Sequence, residues 1–120
     1  MDYMLIFNES SDDFARREHP EEAGPYWGAW QAYVGAMNAS GVVVSGNGLQ
    51  PPHAATHLRI RDGKRLIQDG PFADTKEHIG GYFVISVESL DEALEWAARS
   101  PSAAYGSVEV RPVLPPPPQA

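Results

Sequence analysis

The chain has 120 residues, 42% hydrophobic and 21% charged, which is material for one domain and excludes disordered and fibrous classes. It has no cysteine, so disulfide frameworks, thiolate nucleophiles, iron–sulfur clusters and cysteine zinc sites are excluded. Nine bases against sixteen acids give a formal charge of −7, the wrong sign for direct nucleic-acid binding or an anionic membrane, and no stretch reaches the roughly 20 apolar residues of a spanning helix.

Met1 leads straight into an apolar run without a basic segment, so a cytoplasmic chain is expected. Tyr3 to Phe7 is apolar at both parities, the pattern of an interior strand covered on two faces. Residues 9–25 are rich in Ser, Asp and Glu and read as an acidic surface loop, with one helical turn after Ser11. From Pro25, Tyr26, Trp30, Tyr33/Val34 and Met37 recur at helical spacing until Gly41, predicting a helix of about four turns. Val42 to Val44 starts a second strand, stopped by Pro51-Pro52.

Thr56 to Gln68 reads as a hairpin around Asp62-Gly63. The two-residue turn fixes the register: Arg61 faces Lys64, Leu58 faces Ile67 and Thr56 faces Asp69, while His57 and Arg59 point to the other side with Arg61. Gly80 to Val87 is a long strand with Phe83, Ile85 and Val87 on one face and Tyr82 and Val84 on the other. A capping box of Ser89 and Glu92 opens a second helix that Pro101 closes. Ser107 to Val113 forms the last strand, followed by an exposed polyproline tail.

This order is β-α-β-(hairpin)-β-α-β, an α+β plan of the ferredoxin-like kind: an antiparallel sheet with two helices on one face and an inserted hairpin. Two helices shield only one face. Tyr82, Val84 and one parity of residues 3–7 are left uncovered, an apolar patch that predicts a homodimer through this face.

Asp69-Gly70-Pro71-Phe72, Thr75-Lys76-Glu77, Gly80-Gly81-Tyr82, Asp91-Glu92-Ala93 and the run from Gly106 to Pro112, with Tyr3-Met4-Leu5 at the start, resemble the YCII-related proteins in the branch marked by a DGPF motif. The resemblance spans nearly the whole chain, giving one domain over residues 1–114 and a proline-rich tail over 115–120. It implies a ferredoxin-like fold assembled as a dimeric α/β barrel, and a small protein that binds or converts a small organic molecule in a pocket beside the interface. It also implies an alternative, a non-catalytic accessory or regulatory protein associated with an extracytoplasmic-function sigma factor. A distant branch includes a dehydrochlorinase acting on a chlorinated hydroxyquinol, for which a His–Asp pair is the proposed site. That histidine belongs on the first helix, which here carries Tyr26, Trp27, Trp30 and Tyr33 and no histidine, so the pair does not carry over.

On chemical grounds Asp69 is the first candidate for catalysis, a carboxylate at a strand end sharing a face with Leu58 and Ile67, where apolar neighbours favour the protonated form. It equally suits a turn aspartate bonded to its own backbone. Lys76 and Glu77 read as an anion anchor and a proton acceptor, or as a solvated loop pair. His57 and Arg59 are candidate substrate contacts, or simply a polar strand face. Trp27, Trp30 and Tyr33 form either a pocket wall, with Trp30 as substrate contact, or core. His53 and His57 are four apart on extended chain, about 13 Å, so no metal site is expected. His78 reads as local surface. Arg59, Arg61, Lys64 and Arg65 form a basic patch without interleaved aromatics, suited to an anionic ligand or an acidic partner rather than to nucleic acid. Gly46-Asn47-Gly48 lacks the helix and lysine of a phosphate loop, and no cofactor is expected.

Overall fold

The computed structural model describes residues 1–71 and 76–118. Its elements are strand β1 (Asp2–Ser10), helices α1 (Ser11–Ala15) and α2 (Ala23–Ser40), strands β2 (Val43–Gly48), β3 (Thr56–Arg61), β4 (Lys64–Asp69) and β5 (Glu77–Ser86), helices α3 (Leu90–Arg99) and α4 (Pro101–Tyr105), and strand β6 (Ser107–Pro112). A sheet of order β2-β5-β1-β6 is antiparallel at every pairing, and β3 and β4 form a separate ribbon. The first strand is central and the last is at one edge, as in a ferredoxin-like sheet.

Strand parity decides where the core lies. Tyr3, Leu5 and Phe7 point to one face with Ile85, and there they meet Tyr33 and Met37 of α2 and Ala93 and Ala97 of α3. Leu5, Met37 and Ile85 are completely enclosed, each contributing about 1.5–3 kcal/mol by burial. Met4, Ile6, Tyr82 and Val84 project from the opposite face and stay partly exposed, as the alternation predicts.

Several local expectations are corrected. β1 runs on to Ser10, so the segment assigned to loop from residue 9 is strand first; then Ser10 caps α1, its hydroxyl accepting from the Asp13 N–H at 3.2 Å. α2 begins at Ala23 rather than Pro25 and ends, as expected, on Gly41 with φ 77°. Glu92 of α3 reaches back to the N–H of Glu88, at 3.3 Å, rather than to that of Ser89. Pro101 closes α3 but also opens α4, a short helix that the residue pattern did not predict, because proline fits the first turn of a new helix.

The hairpin register is as the two-residue turn predicts, Thr56 opposite Asp69 through Arg61 opposite Lys64. Its surroundings are not. Leu58 and Ile67 are exposed along with Asp69, so the expected half-sunk carboxylate is instead a surface one. Parity assigns a side of the ribbon, but burial needs a second layer.

Candidate functional site

A cavity of about 540 Å³ lies between α2 and the sheet, with Gly48, Gly80 and Gly81 in its lining. Gly81 pairs with Phe7 on one side and with Gly48 on the other, at the place where β1 and β5 slip register after Phe7. A Cβ on Gly81 would come within 2.9 Å of the Asn47 carbonyl oxygen, and one on Gly80 within 3.1 Å of Arg17 Nη2. Both positions need glycine for close approach. The space that remains is walled by Phe7, Phe83, Trp27 and Trp30 and roofed by Leu49, Gln50 and Pro51. Phe7 and Trp30 meet edge to face with centroids 5.0 Å apart, which fixes the tryptophan ring as a wall.

Its polar side comes from Glu9, the next inward position after Phe7. Glu9 is only 1% exposed, and a carboxyl group there requires hydrogen bonds. Tyr26 Oη lies 2.8 Å from each carboxyl oxygen, and the Ser102 hydroxyl donates from 3.4 Å. Arg17 Nε donates to the same tyrosine oxygen at 3.2 Å, while Nη1 and Nη2 donate to the carbonyls of Leu49, at 2.6 Å, and Gly80, at 3.2 Å. One guanidinium thus fastens the roof, the floor strand and the helix. It also lies over the Trp27 ring, 5.4 Å from its centroid, a favourable cation–π placement.

Burial pushes the Tyr26 phenol up to about 12, Arg17 opposing and Glu9 adding to the rise. Burial likewise raises the Tyr105 phenol well above the tyrosine range, with Glu9 and Tyr26 adding to it. The Tyr26 phenol therefore keeps its proton at neutral pH, a donor beside the Glu9 carboxyl group. Trp30 Nε1 and Tyr105 Oη are buried neighbours, and neither finds a partner with hydrogen-bonding geometry among the described residues.

A second cavity, about 560 Å³, adjoins the first and shares Leu49, Gln50 and Pro51 with it. His57, Glu77 and His78 line it, with Pro71 from the DGPF stretch. Of the residues singled out in the sequence, the structure brings His57 and Glu77 together here and sends Trp30 to the first cavity. Asp69, Lys76 and Arg59 are exposed and line neither. Glu77 accepts a hydrogen bond from the Ser107 hydroxyl at 2.6 Å.

The Asp69-Gly70 corner has a clear local role. Gly70 adopts φ 83°, a left-handed conformation that suits glycine. Its N–H donates to the Ala55 carbonyl at 2.7 Å, and its carbonyl accepts from His57 Nδ1 at 2.9 Å. A carbonyl only accepts, so this contact places a proton on Nδ1. Phe72 and Thr75, the other motif residues quoted, lie with Ala73 and Asp74 outside the described residues. Tyr33 is core and its hydroxyl donates to the Trp96 carbonyl at 2.8 Å. Among the described residues no three His, Asp or Glu side chains converge to hold a metal ion.

Glu9, Arg17 and Tyr26 were missed as site residues. The signal for Glu9 was its parity: Tyr3, Leu5, Phe7 and Glu9 are alternate positions of one strand.

Strand order and cavity define a small α+β domain of the ferredoxin-like type with a ligand-sized chamber beside its sheet. A family model described as the YCII-related domain matches residues 1–116, and the chain belongs to the YCII-related family. It is 46% identical over 67 residues to an uncharacterized protein of Rhizobium meliloti (strain 1021), covering 54% of each chain. It is 40% identical over 62 residues to the uncharacterized protein YjpA of Bacillus subtilis (strain 168), covering 48% of this chain and 69% of that one. The match thus spans about half the length of the Rhizobium protein. Among solved structures, the 5-chloro-2-hydroxyhydroquinone dehydrochlorinase from Burkholderia phenoliruptrix AC1100, in complex with 2,5-dihydroxybenzoquinone, superposes with a TM-score of 0.56 at 15% identity, covering 95% of this chain and 94% of that one. That likeness is one of fold.

Proposed function

We propose that this YCII-related protein binds a small oxygenated ring compound in the chamber between α2 and the sheet and moves a proton there, with Glu9 as acceptor and Tyr26 as its relay. The observation that carries this reading is a carboxyl group, 1% exposed, lining a cavity whose walls include Phe7, Phe83, Trp27 and Trp30. Ligand sites are mostly apolar chambers of ~300–1,000 Å³ with a few placed polar groups, and a proton acceptor must lie within hydrogen-bond reach of its substrate. That a solved neighbour of this fold is a dehydrochlorinase supports the substrate class by analogy. In the adjoining cavity His57 and Glu77 take the secondary role of contacting a substituent of the same ligand. The protein works as a homodimer paired through Met4, Ile6, Tyr82 and Val84, a face that a single chain leaves partly wet.

Two of the three tryptophans, Trp27 and Trp30, line the chamber, so fluorescence titration reports its occupancy. A panel of phenolic, quinone and cyclic carboxylate compounds is expected to include ligands that quench it and raise the melting temperature. Gly48 lines the chamber, and a Cβ added there would meet no atom within 4 Å, so Gly48→Val should cut affinity at least tenfold without lowering stability, whereas Glu9→Gln should keep binding and lose turnover. No shift with any compound in a broad panel would remove the small-molecule reading and favour the accessory one, with a protein partner such as a sigma factor.

A further inference from the structure

We propose that Arg17 anchors an anionic oxygen of the ligand, so that the chamber takes a ring compound with an acidic hydroxyl, a phenol or enol, and holds it as the oxyanion. This rests on the reading of the chamber given above, with Glu9 as proton acceptor and Tyr26 as relay. The partners of Arg17 Nε, Nη1 and Nη2 are Tyr26, Leu49 and Gly80, and all three line the chamber along with Arg17. Each Nη carries a pair of N–H groups and spends one on a carbonyl, which leaves the other without an acceptor among the described residues. The charge is also unanswered. Arg16 pairs with Asp13 at 3.8 Å and Arg111 with Glu109 at 2.6 Å, whereas Arg17 forms no ion pair among the described residues. Aromatic rings surround it instead, with the centroids of Phe14, Trp27 and Tyr26 at 4.6, 5.4 and 5.9 Å from the guanidinium carbon. A half-buried cation already fixed on three sides gives an oxygen anion a charge-assisted bond at little ordering cost.

Charge balance decides which anion fits. Glu9 and Glu18 line the same chamber. Glu18 is exposed and screened by water, but Glu9 is buried, and a ligand bringing a permanent negative charge would meet it unneutralised. A hydroxyl avoids this. Its O–H bond breaks as the proton passes to Tyr26 Oη, and the Tyr26 proton passes to a carboxyl oxygen of Glu9, 2.8 Å away. The negative charge moves from the carboxylate to the ring oxygen beside Arg17, and the total charge of the chamber is unchanged. A carboxylate brings charge and no proton, so it is the poorer fit.

The probe para-nitrophenol reports its own ionisation, because only its anion is yellow. In buffer one pH unit below its pKa about a tenth of the free probe is ionised, and the bound probe should be at least half ionised. Both para-nitroanisole, which has no proton to give, and para-nitrobenzoate should bind at least tenfold more weakly. Gly48→Val should weaken binding of para-nitrophenol at least tenfold, and Arg17→Gln should return the bound probe to its colourless form; if that variant does not fold, the wild-type spectrum decides alone. A bound para-nitrophenol that stays colourless, equal affinity for the anisole or the benzoate, binding untouched by Gly48→Val, or a yellow complex in Arg17→Gln would each overturn the oxyanion anchor and leave the chamber open to other ring compounds. Failure of all three probes beside a ring compound that does bind would also overturn it, and failure of every ring compound would end both readings.

Discussion

Replacing Tyr26 with phenylalanine removes one oxygen from the place where three elements meet. That oxygen lies 2.8 Å from both carboxyl oxygens of Glu9 and accepts from Arg17 Nε at 3.2 Å. Without it Glu9, 1% exposed, keeps among the described residues only the Ser102 hydroxyl at 3.4 Å. Leaving a buried polar group without its partner costs about 1–3 kcal/mol, more for a charged one, so Tyr26→Phe should destabilise by about 2–3 kcal/mol. For a chain of this length the unfolding entropy is roughly 0.25 kcal/mol per degree, so the melting temperature should fall by about 8–12 °C. Urea unfolding of Tyr26→Phe, Glu9→Gln and the double variant, followed by circular dichroism, completes a cycle whose coupling should be about 1–2 kcal/mol. A loss under about 0.5 kcal/mol with additive single effects would refute the account of the buried carboxyl given above.

Alkaline titration gives a second expectation. The Tyr26 phenol ionises near 10.0 when unfolded and is pushed up to about 12 in the fold, so its contribution is complete below pH 10 and is lost as the pH climbs toward 12. Tyr33 and Tyr105 are raised in the same direction, chiefly by burial. Their phenolate absorbance should therefore appear together with loss of the circular dichroism signal; ionisation of all five tyrosines near pH 10 with the fold intact would be the contrary result. A third concerns Gly106, where a Cβ would fall 2.1 Å from the Asn8 carbonyl oxygen and 3.4 Å from that of Ser102. Both are backbone atoms, so Gly106→Ala must push β6 off β1 and should cost about 3 kcal/mol in urea unfolding; a cost near zero would contradict the packing described.

Much of the scaffold is legible in the residues because local rules govern it. Asp62-Gly63 sets a two-residue turn, and the entire hairpin register follows from that choice. Alternation in Tyr3 to Phe7 and in Tyr82 to Val87 sorts the two faces of the sheet. The extent of each face's cover depends on what lies opposite, which the pattern along one strand does not encode; hence the surface position of Asp69. The chamber was less legible for a related reason. Glu9 stands next to Ser10, Ser11, Asp12 and Asp13, a composition that reads as solvated loop, and only its strand parity distinguishes it from them. Arg17 gains its role from carbonyls 32 and 63 residues away in sequence, beyond the reach of any local pattern. Trp30 was visible as an aromatic at helical spacing, a signal shared by core and cavity wall alike, and what stands opposite its ring, set by other elements, decided between the two.

Leu49, Gln50 and Pro51 form a partition between two chambers of similar capacity, held at one point by Arg17 through the Leu49 carbonyl. A partition that thin cannot yield toward one side without crowding the other. A ligand lodged beneath the tryptophans, as proposed, would press on the same three residues that bound the space around His57 and Glu77.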